Sequence, residues 1–245
     1  MIKVYGTKLV LRIAVFLTAI CLYFEDKDSL VFSQAFNFKE GIKPLHIIWL
    51  ILIVEILQKF FPQKLMSMGC RKVFQSSYQP SSAKLPEGIL QNWIRRENRL
   101  AGKVAWAWLG LNGLVGCLYF RGVIEESHLL LLSLFYFVCD ITSILFYCPF
   151  QSLIMKNRCC VTCRIFNWDA LMAYIPLVFV PGFFSWTLVG LAAILLVRWE
   201  WAYRRHPQRF FEGSNQSLQC KNCEEKLCKI KKPIPLHQAE TRSLY

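Results

Sequence analysis

The chain has 245 residues, of which 55% are hydrophobic and only 18% are charged. That composition excludes an ordinary soluble domain, and several apolar runs reach the roughly 17–25 residues that a helix needs to cross a bilayer. We therefore predict an integral membrane protein. Its formal net charge is +13. Membrane proteins carry an excess of Lys and Arg in their cytoplasmic loops, so this charge does not require a nucleic-acid partner.

The apolar runs predict an all-α, polytopic membrane bundle of about six transmembrane helices. The first run follows Lys3 and Lys8 and resembles a signal peptide, but it lacks a small-residue cleavage site, so we interpret it as an uncleaved helix. Pro176 predicts a kink in the fifth span, and Pro181-Gly182 predicts a tight turn before the sixth. The predicted spans are Leu9–Phe24, Leu45–Phe61, Ala101–Phe120, Leu129–Cys148, Ala170–Phe183 and Trp186–Tyr203.

Basic residues predict the orientation of these helices, because cytoplasmic loops carry an excess of Lys and Arg. With both termini inside, all but four of the 29 Lys and Arg residues lie on the inner side. The four exceptions are Lys27, Lys39, Lys43 and Arg121. This distribution predicts a multi-pass protein of the cell membrane, with the lipid bilayer as its first partner.

The predicted topology divides the chain into six parts that alternate between membrane and cytoplasm. They are two helices with a short outer loop in 1–61, a cytoplasmic loop in 62–102, helices three and four in 101–148, a cysteine-rich loop in 149–169, a helical hairpin in 170–203 and a cytoplasmic tail in 204–245.

The loop in 62–102 ends in a basic amphipathic segment. Apolar side chains from Ile89 to Ile94 lie opposite arginines between Arg95 and Arg99. Such a segment predicts either a short helix that lies on an anionic inner leaflet or a positively charged start to the third span. On the leaflet it would also offer a docking surface for a partner.

Cysteines show the most specific pattern in the chain. Two C-x2-C motifs bracket the last two spans, and a hairpin there would return both motifs to the cytoplasmic side. Three more cysteines lie near them in sequence, and such a convergence predicts a metal or redox site. The seven cysteines are Cys148, Cys159, Cys160, Cys163, Cys220, Cys223 and Cys228.

Three kinds of site fit these thiols. Disulfides are rare in a reducing cytosol, which favours metal or redox chemistry. Four thiolates suit an iron–sulfur cluster, and the Cys148-Pro149 step together with the extra thiol of Cys228 favours that interpretation. A structural Zn²⁺ site and a membrane thiol–disulfide oxidoreductase are the alternatives. The leading prediction is an iron–sulfur protein for electron transfer or sensing, with a cytoplasmic redox partner; the pattern does not decide whether it is an enzyme or which residue is catalytic.

Two carboxylates, Glu55 and Asp140, lie within predicted spans, where charges are costly and often functional. Each could pair with a cation, carry a proton in the polar pathway of a transporter, or make a structural hydrogen bond between packed helices. Arg12 lies near the inner end of the first span, and we expect its side chain to snorkel to the interface.

The remaining cysteines, the histidines and the sequence motifs give no clear indication of a second functional site. Cys21, Cys117 and Cys139 are expected to be small buried hydrophobes, while Cys70 could join the thiol cluster. His46 and His128 are expected to be hydrogen-bonded or solvated rather than to bind haem. The sequence has no P-loop, GxGxxG, G-x-S-x-G or H-E-x-x-H motif, so neither nucleotide binding nor hydrolysis is predicted.

Overall fold

The computed structural model describes residues 2–31, 43–63, 66–81 and 87–231, and these residues form helices and no β-strand. The all-α prediction is confirmed for this part of the chain, while Lys39 and residues 232–245 of the predicted tail lie outside it. The α-helices, in chain order, are α1 (Ile2–Glu25), α2 (Pro44–Gln58), α3 (Met68–Arg71), α4 (Glu87–Phe120), α5 (Glu126–Leu145), α6 (Asp169–Tyr174) and α7 (Phe183–Arg205).

Three of these helices, α1, α5 and α7, are long and apolar enough to cross a membrane. The second predicted span is shorter than expected, because α2 has 15 residues. At 1.5 Å per residue it measures about 22 Å, less than the roughly 30 Å of a hydrocarbon core. Six spans of crossing length are therefore not confirmed among the described residues.

The fifth predicted span is broken. Helix α6 ends at Tyr174, and a 3-10 helix, Ile175–Phe179, continues the chain. Pro176 is the second residue of that 3-10 helix, and since it has no backbone N–H it cannot extend the α-helical ladder. A turn at residues 180–182 then leads into α7. The fifth predicted span is therefore a short α-helix followed by a 3-10 helix, not one continuous helix.

The basic amphipathic segment and the third predicted span form one continuous helix, α4, of 34 residues. Its apolar face covers protein, because the ring of Trp93 packs against Phe211 at 5.0 Å and Tyr203 at 6.1 Å between centroids. The segment is therefore the positively charged start of a longer helix and not a separate helix.

The helices pack around α5, which contacts α1 and α6, while α7 contacts α2 and α6. Large apolar side chains remain exposed on the outside of the helices, among them Trp106 (79%), Val197 (65%) and Leu114 (60%). Such a surface is what helices present to lipid. Fully buried core leucines at the centre are Leu52, Leu129, Leu130, Leu134, Leu177 and Leu188.

The segments that were predicted to be cytoplasmic gather at one end of the bundle. The start of α1 meets the tail where Tyr5 donates a hydrogen bond to Glu225 at 2.8 Å. The loop after α3 meets the loop before α6 where Lys72 donates to the carbonyl of Val161 at 2.9 Å. We call this the polar end; it comprises the start of α1 and of α4 and residues 66–81, 146–168 and 206–231.

The opposite end is held by different contacts. The Tyr23 hydroxyl lies 3.1 Å from Nε2 of His128, and Trp49 Nε1 donates to the Thr187 hydroxyl at 3.0 Å. His46 accepts a bond from the Lys43 backbone N–H at 2.9 Å, at the start of α2. Both histidines are therefore hydrogen-bonded, as predicted. Consecutive helices run in opposite directions between the two ends.

A buried arginine joins three of these helices. Arg12 of α1 is 4% exposed, and its guanidinium donates to Glu55 of α2 at 2.7 Å and to Asp140 of α5 at 2.6 Å. It also donates to the carbonyl of Phe137 at 2.7 Å. The expectation that Arg12 snorkels is wrong, because the buried carboxylate of Glu55 and the partly buried one of Asp140 hold it within the bundle.

A second ion pair lies beside the first. Lys59, just after α2, pairs with Asp169 at the start of α6. The same small space between helices is lined by both pairs and by Tyr174. We call Arg12, Glu55, Lys59, Asp140 and Asp169 the charged network; it links α1, α2, α5 and α6.

Replacing Arg12 by leucine is expected to destabilise the protein by roughly 3–5 kcal/mol, because two carboxylates then stay buried without their cation. The midpoint of denaturant-induced unfolding in detergent micelles measures this loss. Lys3→Leu is the matched control, since Lys3 is an exposed cation on the same helix. A triple variant with leucine at Arg12, Glu55 and Asp140 should recover much of the stability. Equal midpoints for Arg12→Leu and Lys3→Leu would contradict the assigned role.

Candidate functional site

The predicted thiol cluster lies at the polar end, and five of its seven cysteines line one cavity of about 180 Å³. We call it the thiol cavity. It brings the tail against the loop that follows α5, so the first C-x2-C motif contributes one cysteine and the second contributes both. The five cysteines are Cys159, Cys160, Cys220, Cys223 and Cys228.

The other two predicted cysteines, Cys148 and Cys163, line a second cavity of about 270 Å³. We call it the apolar cavity. Cys160, Gln151 and Ile144 border both cavities, so the two spaces adjoin. Cys160 is the only cysteine among the described residues that faces both, and it therefore stands between the tail thiols and the interior of the bundle.

Both C-x2-C motifs are folded as tight turns. The Cys163 backbone N–H donates to the Cys160 carbonyl at 2.9 Å, and Cys223 bonds Cys220 in the same way at 3.3 Å. Turns of this kind hold the first and fourth Cα atoms within about 7 Å, close to the roughly 4.4–6.8 Å that a disulfide spans. All eleven cysteines are free thiols in this structure, and each motif has a backbone that a disulfide can close.

Metal ligands must surround one point, at about 2.3 Å for zinc and sulfur. In the part of the chain that the structure describes, which includes every cysteine, no group of three or more His, Cys, Asp or Glu residues is placed to hold an ion. The thiols are instead spread along the walls of two cavities. Zinc and iron–sulfur binding stay predictions.

Cys160 has the most polar surroundings of these thiols, although it is 7% exposed. The ammonium of Lys231 lies 3.0 Å from its sulfur, and its S–H donates to Gln151 at 2.7 Å. Lys231 also donates to Gln151 at 2.6 Å and to the carbonyl of Ser143 at 3.0 Å. Burial raises the pKa of the Cys160 thiol to about 12, and Lys231 opposes that effect by favouring the thiolate.

Cys163 is buried more deeply in apolar surroundings. It is 6% exposed and packs in one cluster with Val104, Met155 and Ile165. Burial raises the pKa of its thiol to about 12. Burial in these apolar surroundings therefore favours the protonated thiol of Cys163 over its thiolate.

Lys72 fixes the loop that carries both cysteines. Its ammonium is fully buried and donates to the carbonyls of Val161 at 2.9 Å and Cys163 at 2.7 Å. It also faces the rings of Trp199 and Phe210, at 5.5 and 5.7 Å from their centroids. Burial lowers the pKa of Lys72 to about 8. Nothing in its sequence context distinguishes this lysine from the other basic residues of the polar loops.

A second clamp holds the same loop to α7. Arg164 makes two parallel hydrogen bonds to Glu200, at 2.7 and 2.6 Å. Trp168 donates to the same carboxylate at 2.8 Å, and Trp199 donates to the Arg164 carbonyl at 2.9 Å. This bidentate geometry is the strong form of a charge-assisted bond, so the loop between α5 and α6 is held firmly.

The tail is held by a carboxylate that sequence reasoning missed. Glu225 is 2% exposed and accepts hydrogen bonds from Tyr5 at 2.8 Å, from Ser67 at 2.7 Å and from the backbone N–H of Met68. These contacts join the tail to α1 and to the start of α3. In this structure a buried glutamate therefore fixes the position of the tail.

The remaining cysteines lie outside the thiol cavity. Cys70 is buried and donates to Asn167 at 3.4 Å. Cys21 and Cys117 are exposed on the outside of α1 and α4, so the expectation that they are buried is wrong. Cys139 is partly exposed and borders the apolar cavity, where it adds a fourth thiol to that wall.

No protein-family model matches the sequence, and comparison with curated proteins and with solved structures gave no significant match. The function is therefore inferred from the arrangement of the chain's own side chains.

Glu225→Ala is expected to release the tail, because three buried donors lose the carboxylate that pairs them. Trypsin should then cleave at Lys221 and Lys226 at least tenfold faster, as followed by mass spectrometry. Glu224→Ala is the matched control, since the Glu224 side chain is 73% exposed and lies 3.4 Å from Arg71. Equal cleavage rates in the two variants would contradict a tail that Glu225 holds.

Proposed function

We propose that this protein is a membrane thiol–disulfide redox protein, in which the tail pair Cys220 and Cys223 exchanges with the buried pair Cys160 and Cys163. One observation carries the proposal: Cys160 lines the same cavity as Cys220 and Cys223. The turn geometry of both motifs supports it, because each pair can close a disulfide without a change of fold.

The exchange proceeds by two thiolate attacks. Cys220 attacks the sulfur of Cys160 in a Cys160–Cys163 disulfide, which forms a Cys220–Cys160 bond and releases the Cys163 thiolate. Cys223 then attacks Cys220, which closes the tail disulfide and releases the Cys160 thiolate. Two electrons pass from the tail pair to the buried pair. Lys231, 3.0 Å from the Cys160 sulfur, stabilises that leaving thiolate.

The exposure of the two pairs gives each a different role. Cys220 is exposed and Cys223 is partly exposed, whereas Cys160 and Cys163 are buried. A partner in water reaches only the tail pair. The proposed partner is a soluble protein dithiol, which reduces the tail disulfide and is itself oxidised to a disulfide.

A metal–thiolate centre is the second candidate function. Five cysteines and two cations, Arg158 and Lys231, line the thiol cavity, and cations offset the charge of a thiolate cluster. An iron–sulfur centre for electron transfer or sensing remains the first form of this candidate, and a structural zinc site is the second. Either metal site requires the turn that carries Cys220 and Cys223 to move closer to Cys160, so that the sulfurs surround one point.

We also propose that the bundle spans the cell membrane six times, with both termini and the polar end in the cytoplasm. The three helices of crossing length support the membrane location. The gathering of the basic segments at one end supports the orientation, because cytoplasmic segments carry the positive charge. In this arrangement α2 packs one face, which includes Leu52 and Ile56, against the bundle and presents Ile47, Leu50 and Val54 to the lipid.

The Cys223→Ser variant is expected to trap a disulfide between Cys220 and Cys160, because the second attack is missing. Peptide mass spectrometry after oxidation with diamide and alkylation identifies the bond. Cys117→Ser is the matched control and should give the wild-type pattern. If no disulfide joins the tail to Cys160 in either the wild type or Cys223→Ser, the exchange proposal fails.

The metal candidate has a test of its own. Stoichiometric iron or zinc in protein purified without oxygen, and its loss in Cys220→Ser, would favour that candidate.

A membrane-impermeant maleimide tests the orientation. Cys220 and Cys228, both exposed at the polar end, should react only after the cells are permeabilised. Val123→Cys places a thiol between α4 and α5 at the opposite end, where Val123 is 66% exposed, and it should react in intact cells. Reaction of Cys220 in intact cells would reverse the proposed orientation.

A further inference from the structure

The apolar cavity is a ligand-sized space beside the buried cysteine pair. It lies between α4, α5, the start of α6 and a π-helix, Phe150–Met155. Its volume is about 270 Å³, near the roughly 300 Å³ at which small-molecule sites begin. Aromatic rings form much of its wall: Trp108, Phe135, Tyr136, Phe150 and Phe166.

The cavity reaches the outer surface of the helices. Phe135, which is part of its wall, lies on α5 and is 48% exposed. Helix α5 is one of the three helices long and apolar enough to cross a membrane. The cavity therefore lies next to a surface that a lipophilic molecule in the bilayer would contact.

Two buried polar atoms on the cavity wall have no hydrogen-bond partner within the described part of the chain. They are Nε1 of Trp108, a donor, and Oδ1 of Asp169, an acceptor. Both atoms are therefore available to hydrogen-bond a ligand in the cavity. A carbonyl oxygen would accept from Trp108, and a hydroxyl would donate to Asp169.

The buried pair, Cys160 and Cys163, borders the same cavity. A thiol pair that takes electrons from the tail must pass them on, and an acceptor in this cavity would lie beside both sulfurs. That acceptor has to be apolar, has to carry carbonyl groups and has to take two electrons with two protons. Membrane quinones have all three properties.

We infer that the apolar cavity binds a membrane quinone, which oxidises Cys160 and Cys163 to a disulfide. The inference rests on the proposed thiol exchange. In the reaction two S–H bonds break and one S–S bond forms. The two electrons and two protons go to the quinone, whose two carbonyl oxygens become the hydroxyls of a quinol. The tail pair then reduces the new disulfide, and the cycle oxidises the dithiol of the soluble partner.

Reduced, anaerobic protein in lipid nanodiscs is mixed with a short-chain benzoquinone or naphthoquinone to test this reaction. Ultraviolet absorbance measures quinol formation, and differential alkylation with mass spectrometry locates the disulfide. We expect a first equivalent of quinol to form together with a Cys160–Cys163 bond. The Cys163→Ser variant should bind the quinone but form no intramolecular disulfide at this pair.

Two tryptophans of α4 provide a matched pair of variants for binding. Trp108→Phe keeps a ring in the cavity but removes the N–H donor, and quinone affinity in the Cys163→Ser background should fall roughly two- to tenfold, the effect of one hydrogen bond. Trp106→Phe should leave the affinity unchanged, because Trp106 is 79% exposed on the outside of the helix. Equal affinities in the two variants would overturn the assignment to this cavity.

The outcomes separate the two proposals. If diamide produces the tail-to-Cys160 disulfide but the quinone neither binds saturably nor forms quinol, the inference is overturned while the thiol exchange stands. If the quinone binds in the cavity without oxidising Cys160 and Cys163, its assignment as oxidant is also overturned. If quinol forms and closes the Cys160–Cys163 bond but the tail never exchanges with Cys160, the proposed function fails and the quinone reaction stands.

Discussion

The buried guanidinium of Arg12 joins three helices of the bundle. It binds Glu55 of α2 and Asp140 of α5, so three helices that are far apart in sequence have one relative register. Buried ion pairs of this kind add little net stability compared with apolar packing, but losing one partner is costly. Arg12 therefore fixes the relative position of α1, α2 and α5 at the level of its guanidinium. The adjacent pair of Lys59 and Asp169 extends this constraint to α6.

The thiol site follows from that register. Asp140 and Asp169 belong to the charged network and also border the apolar cavity, so the network places one wall of the proposed quinone site. Lys72 and Arg164 then hold the intervening loop by its carbonyls and by α7. The cysteines are positioned by cations and carboxylates of the chain itself. Their sulfurs are therefore not needed to hold the fold together, and they can be oxidised and reduced reversibly without disrupting it.

Much of the architecture could be predicted from hydropathy and charge. Apolar runs located α1, α5 and α7, because a helix that faces lipid must be apolar over its length. The excess of basic residues assigned several segments to one side of the membrane, and these segments meet at the polar end. Sequence reasoning failed where a distant residue changed the local preference. Arg12 does not snorkel because Glu55 and Asp140 neutralise it. The segment from Ile89 to Ile94 is not a separate helix, because it continues into α4 and Trp93 packs against Phe211 and Tyr203.

Hydropathy, charge and cysteine spacing were enough to predict a helical protein, apolar segments that suit a membrane and seven cysteines that converge at one end. These properties depend on composition and on the order of segments, and both can be read directly from the amino-acid sequence. The tertiary structure decided which cysteines meet, because Glu225 docks the tail and brings Cys220 and Cys223 to Cys160 but not to Cys163. It also decided that two cavities share Cys160. Contacts between residues more than fifty positions apart depend on packing in three dimensions, which spacing along the chain does not encode.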